Sequence, residues 1–196
     1  MSIAIALPPA VEVVRGGRVK GGVLKSHLRW LRETRTPAEQ REVLDRLTPQ
    51  LVVELSDPIL GSHWYSFATL IALDRAIADV CGDEALEALG QASARIHLDG
   101  VFRNFMTLSP HQFLRQSALV HAHYQDFGSA TYEKRGDAAG TMLHRNYRCH
   151  SLLYCASARG YYAEALRIIT KSDDVHVREW RCQCHLEDAC AFELRW

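Results

Sequence analysis

The apolar pattern of this 196-residue chain changes period at about Gly128, and that change limits the fold more than any other feature. Before it, apolar residues recur every three to four positions, as a helix facing a core requires. After it they alternate, as in half-buried strands, on either side of one more helical stretch. Thr36-Pro37-Ala38-Glu39 is a helix start with Thr36 as N-cap, Pro37 at the first helical position and Glu39 three residues past the cap. Ser109-Pro110 repeats the signature ahead of a helix reaching His123. Between them His63-Trp64-Tyr65-Ser66 reads as the opening of a helix to about Val80, apolar over a wide arc and therefore central. Gly82 stops it, Asp83 is positioned to cap the next helix, and Leu98–Met106 completes the helical run.

Past Gly128, Ser129–Arg135 reads as a strand, 136–140 as a loop and Thr141–Tyr147 as the hairpin partner. A helix spans Cys149–Thr170. Asp173–Trp180 and Ala189–Trp196 are the last two strands, the latter with Cys190, Phe192 and Leu194 on one side. The order predicts an α+β fold, a helical layer packed on one face of a four-stranded antiparallel sheet. Residues 23–127 form the helical part and 128–196 the ββαββ part of one domain. Residues 1–22 form an N-terminal arm or short hairpin: Ile3–Leu7 and Val11–Val14 are apolar runs parted by Pro8-Pro9, and a short basic loop follows between Gly16-Gly17 and Gly21-Gly22.

Charge narrows the partners. Lys and Arg together number 23, as do Asp and Glu, with no basic block to track a phosphate backbone, so nucleic acid is not expected. No apolar run approaches the roughly 18 residues of a membrane span, and the start lacks the cationic flank of a secretory leader. A cytoplasmic protein is expected, in which the 6 cysteines are thiols, ligands or redox groups rather than a disulfide framework.

Three of those cysteines and a histidine crowd Cys182-Gln183-Cys184-His185 and Cys190. A loop between two strands brings Cys182 and Cys190 to one point, the arrangement a soft or borderline metal such as zinc requires. Buried thiols acting as small apolar filler are the other reading, and it is the one for Cys81 and Cys149, which lack a paired donor. Cys182 and Cys184, with one residue between them, would bond only through a strained bridge, so a redox pair is the lesser reading there. Phe67, Tyr161 and Tyr162 are candidates to line an aromatic-binding cavity, or else plain core. His97, His111, His121 and His123 read as capping or partly exposed side chains; His121 and His123, two apart on a helix, do not share a metal.

The C-terminal two-fifths resembles the 4-vinyl-reductase-type small-molecule-binding domain, the sensor module of aromatic-responsive bacterial regulators. The resemblance rests on Cys155-Ala-Ser-Ala-Arg-Gly160-Tyr161, the strand over 173–180, Cys182, Cys190 and Phe192-Glu193-Leu194. Leu186-Glu187 stands where that domain usually has Gly-Asp. More of the chain, through Val19-Lys-Gly-Gly-Val-Leu-Lys-Ser26, Ser62-His-Trp-Tyr65 and the closing Phe-Glu-Leu-Arg-Trp, is similar to a group of paralogous myxobacterial proteins. The first resemblance implies zinc held by Cys155, Cys182 and Cys190 with Glu133 as fourth ligand, Cys184 and His185 being alternates. It implies the fold shared with the small subunits of vesicle-tethering complexes, and a homodimer formed through the helical layer. His144 and His150 enter as haem-ligand candidates through the distantly similar fold of haem-based nitric oxide sensors; nothing in their spacing selects either.

The chain shows no nucleophile–base pair at recognisable spacing, no Gly-rich phosphate loop and no His-Glu-x-x-His signature. The function expected is a non-enzymatic ligand-sensing or regulatory module binding a small apolar molecule. A homodimeric interaction scaffold with a filled core, which would serve a protein partner, is the first alternative. A small enzyme of tetrapyrrole or lipid metabolism is the second.

Overall fold

The computed structural model describes residues 9–100 and 102–196. The run Ile3–Leu7 lies outside them. Strand β1 (Arg18–Lys20) leads into α1 (Gly21–Thr34), α2 (Pro37–Asp45) and α3 (Pro49–Ser56); β2 (Trp64–Ser66) then leads into α4 (Phe67–Cys81), α5 (Glu84–Asp99) and α6 (Pro110–Tyr124). The hairpin β3 (Ser129–Gly136) and β4 (Ala139–Arg145), helix α7 (Leu152–Thr170) and strands β5 (His176–Arg181) and β6 (Ala189–Arg195) complete the chain. The expected α+β class holds: one antiparallel sheet in the order β3-β4-β6-β5, with helices against it.

Both proline-marked helix starts form as capping boxes, Thr36 with Glu39 and Ser109 with Gln112, and Gly82 ends α4 at a φ of 89°. Other local expectations are corrected. His63–Ser66 is not a helical turn: Trp64–Ser66 pairs antiparallel with Arg18–Lys20, so the supposed basic loop is a strand as well. Aromatic residues favour strands, and the Lys20 ammonium sits 3.9 Å over the Trp64 ring. Ser66 instead caps α4, accepting from the Ala68 amide. Asp83 caps nothing with its side chain. Leu98–Met106 is not one helix, because α5 ends at Gly100 and a 3-10 turn follows at Arg103–Thr107. The β3–β4 turn is tighter than expected, Gly136 pairing with Ala139, and α7 starts three residues later, capped by Ser151.

Two apolar cores result. One lies among α1 to α5 around Leu24, Phe67, Leu70 and Leu73. The other, between α5–α7 and the sheet, contains Phe113, Met142, Leu166 and Phe192. Helices α5 and α7 join them by near-contact of backbones: a Cβ on Gly90 would lie 1.9 Å from the Ser157 carbonyl oxygen, and one on Gly160 2.1 Å from that of Glu87. Only hydrogen fits at either place.

The residues ahead of β1 lie across this assembly as a strap. The Val11 amide donates to the Cys184 carbonyl, and Val13 bridges His150. The Glu12 carboxylate accepts from the Ser151 hydroxyl and the Leu152 amide, and pairs with Arg75 of α4. A carboxylate there compensates the positive end of the α7 dipole.

Candidate functional site

Two sites share α7. At its first turn Cys155 meets Cys182 and Cys190 from either end of the β5–β6 connection, with sulfur separations of 3.8 Å (155–182), 3.6 Å (155–190) and 3.8 Å (182–190). A tetrahedral ion with metal–sulfur bonds of about 2.3 Å spaces its sulfurs about 3.8 Å apart, so the tripod already has the required edge. The sequence expectation for the fourth donor is corrected. Glu133 pairs across the sheet with Thr141 on the outward face, where its carboxylate meets Arg135 and Arg145. The oxygen that stands with the three sulfurs belongs to Glu179, all four ligand atoms lying within 4.8 Å of one another.

Strand parity explains the exchange. Glu179 pairs with Phe192 on the inner face, continuing the row of Val175 and Val177. That alternation, with Glu179 three residues before Cys182, is a signal the sequence carried.

The electrostatics are those of a donor set. Hydrogen bonds from Cys155, Cys184 and Cys190 hold the Cys182 sulfur well below the usual thiol range, while the bond to Cys182 pushes Cys155 far up. Burial, then the Cys182 charge, raises Glu179 to about 8. One Glu179 carboxylate oxygen is buried without a hydrogen-bond partner, and the Gln183 amide donates to the Cys190 sulfur at 3.4 Å. An orphaned oxygen beside three sulfurs is the chemistry a cation satisfies. This cluster can hold a metal ion. Cys184 is buried outside the quartet, its carbonyl held by Val11, and His185 is likewise outside it. Cys149 donates to the Arg15 carbonyl.

Leu186, in the loop between the ligands, has a left-handed backbone (φ 64°) and is 74% exposed. A β-carbon there costs about 1–2 kcal/mol that no packing returns. Leu186→Gly should therefore stabilise the chain by about 1 kcal/mol, a rise of about 2–4 °C in the thermal midpoint measured by calorimetry.

The second site is a cavity of about 140 Å³ between the helices and the sheet. Tyr154, Tyr161 and Tyr162 of α7 form one wall, and Tyr124 and His121 of α6 another. Phe102, Phe105 and His97 close a third, α1 contributes Val23 and His27, and β4 contributes His144. Among the described residues its lining has no Lys, Arg, Asp or Glu. Of the cavity candidates, Tyr161 and Tyr162 stand in the wall. Phe67 does not; it is fully buried in the first core, edge-on to Phe127 and Tyr154.

Sequence reading has His97 and His121 as capping or partly exposed and does not single out His27, because the cavity assembles these histidines, with His144, from α1, α5, α6 and β4. Burial holds His97 and His121 down to about 4 and His144 to about 3, so all three rings are neutral near pH 7. His144 Nε2 pairs with the Tyr162 hydroxyl at 2.8 Å. His121 Nε2 meets the Tyr147 hydroxyl and the Gln125 amide. His150 stays outside the cavity, in its bridge to Val13. No helix among the described residues is long and apolar enough to cross a membrane.

No protein-family model matches the chain, and no curated protein matches it in sequence. Solved structures do match its shape. An unliganded Fe(II) H-NOX protein mutant from K. algicida aligns with a TM-score of 0.67 at 13% identity, over 90% of this chain and 95% of that one. An H-NOX protein from S. oneidensis in the Fe(II)NO state gives 0.65 at 14%, over 90% and 98%. An oxygen-binding H-NOX domain related to soluble guanylate cyclases gives 0.62 at 14%, over 90% and 93%. These findings overturn the resemblance to the 4-vinyl-reductase-type domain and the myxobacterial group, and with it the basis for expecting a dimer through the helical layer. In architecture, over nine-tenths of its length, the chain is similar to H-NOX domains.

Proposed function

We propose that this chain is a non-enzymatic sensing module that holds one small, mostly apolar molecule in the cavity beside α7, and a structural zinc ion at Cys155, Glu179, Cys182 and Cys190. The observation that carries the reading is the aromatic-walled cavity itself. Its volume of about 140 Å³ is close to that of an engineered apolar cavity of about 150 Å³ that takes up benzene. Zinc follows from three sulfurs at tetrahedral spacing with one carboxylate, a closed set without an open position for chemistry.

H-NOX proteins are described by their haem, and the residues here do not fit that group. Pockets for ligands even of drug size run about 300–1,000 Å³, at least twice this cavity. The described lining offers no cation to meet a haem's two carboxylates. Two of the cavity's neutral imidazoles are tied through Nε2 to tyrosine hydroxyls. An open cavity also argues against a scaffold with a filled core, and a lining without acidic groups gives an enzyme little acid–base chemistry.

Protein purified from its own host should show no Soret absorbance, and added haemin should bind without stoichiometry or a sharp ligated spectrum. Native mass spectrometry should find one zinc and a small apolar molecule per chain. Stoichiometric, spectrally ligated haem would overturn this reading.

A further inference from the structure

Among the cavity's histidines, His27 is the most deeply buried and the one held by a carboxylate. It is 1% exposed, and its Nδ1 lies 2.7 Å from Asp74 Oδ1, itself fully buried. Asp74 is not part of the cavity wall but His27 is, which leaves Nε2 as the ring nitrogen free to meet a ligand there. Among the described residues Nε2 has no hydrogen-bond partner. The neighbouring Ser26 and Ser93 hydroxyls are not available to it in the same way, since they bond each other at 2.6 Å. A buried imidazole backed by a carboxylate, its other nitrogen without a partner, is costly unless that nitrogen is paired when the cavity is filled.

We infer that His27, oriented by Asp74, anchors the ligand, and that the ligand is a small ring compound bearing one hydroxyl group. This rests on the cavity reading above. A hydroxyl both donates and accepts, so it pairs with Nε2 whether the imidazole carries one proton or two, and the rest of the molecule meets mainly aromatic rings in a lining without ionised groups. Asp74 keeps the ring from turning and fixes where the hydroxyl lies. A plain hydrocarbon of the same shape fills the same volume but leaves Nε2 unpaired, which is how a site built around one hydrogen bond rejects the analogue lacking it.

Phenol and toluene differ by a hydroxyl for a methyl and serve as probes, with binding followed by calorimetry. The wild-type chain should bind phenol at least about tenfold more tightly than toluene. His27→Phe alone leaves Asp74 buried without its partner and risks misfolding, so the informative variant is His27→Phe with Asp74→Leu. It should still bind toluene and lose the preference for phenol. In the wild-type chain the His27 ¹⁵N resonances should shift on adding phenol and not on adding toluene. Equal affinity for the two probes in the wild type would overturn the anchor while leaving the cavity reading intact. A preference for phenol that survives in the double variant would overturn it too, by assigning the hydroxyl to another group. Absence of binding by either probe would overturn the cavity reading itself, and the anchor with it.

Discussion

Gly90→Ala, or Gly160→Ala, is expected to lower stability by about 3 kcal/mol or more, at the upper end of overpacking effects. The added carbon would lie 1.9 or 2.1 Å from a backbone carbonyl oxygen of the facing helix. Backbone, unlike a side-chain tip, moves only if the whole helix moves. Alanine's better helix propensity returns about 1 kcal/mol, which is too little to offset the clash. For a chain of this size the thermal midpoint should fall by about 6–12 °C. Because α5 and α7 both wall the cavity, ligand affinity should fall with it. A Gly90→Ala variant as stable as the parent would mean that the two helices do not approach as closely as described.

Cys190→Ser is the second large effect. With Cys155 and Cys182 it completes the sulfur tripod, and two thiolates with one carboxylate are a poor zinc site. The variant should retain little metal by elemental analysis. A metal present at a thousandfold excess over its dissociation constant contributes about 4 kcal/mol, so the midpoint should drop by roughly 8–16 °C. Chelation of the parent should approach the same midpoint. Cys81→Ser, at a thiol far from the tripod at the end of α4, should leave metal content unchanged. A metal-free parent, purified under reducing conditions, would refute the zinc assignment.

Which parts of this were legible in the sequence follows from how local each signal is. The starts at Thr36 and Ser109, the stop at Gly82 and the hairpin after Gly128 are written within a few consecutive residues, and each formed. The pairing of Arg18–Lys20 with Trp64–Ser66 was not legible, because three residues are too few to show alternation and their partners lie far off in sequence. The three sulfur donors stood out by type and spacing, whereas the oxygen donor turned on strand parity, which separates the outward Glu133 from the inward Glu179. The cavity was least legible. His27, His97, His121 and His144 come from four elements, and each alone looks like an ordinary structural histidine.

The strap ahead of β1 bears on the order in which the chain acquires its structure during synthesis. Glu12 closes on Leu152 across 140 residues of sequence, and Val11 reaches further, to Cys184. Contacts of such separation carry a large loop-closure cost and form late. At about 5–20 residues per second, the ribosome takes roughly ten to thirty seconds to deliver those partners after the strap itself has been made. From the completion of α6 until α7 is made, α1 to α6 exist without the full sheet, and the apolar face of α5 that will meet α7 has nothing to cover it. A nascent chain of this topology is therefore a candidate client for chaperones until β6 is added, and slowing translation should lengthen that exposure rather than assist folding.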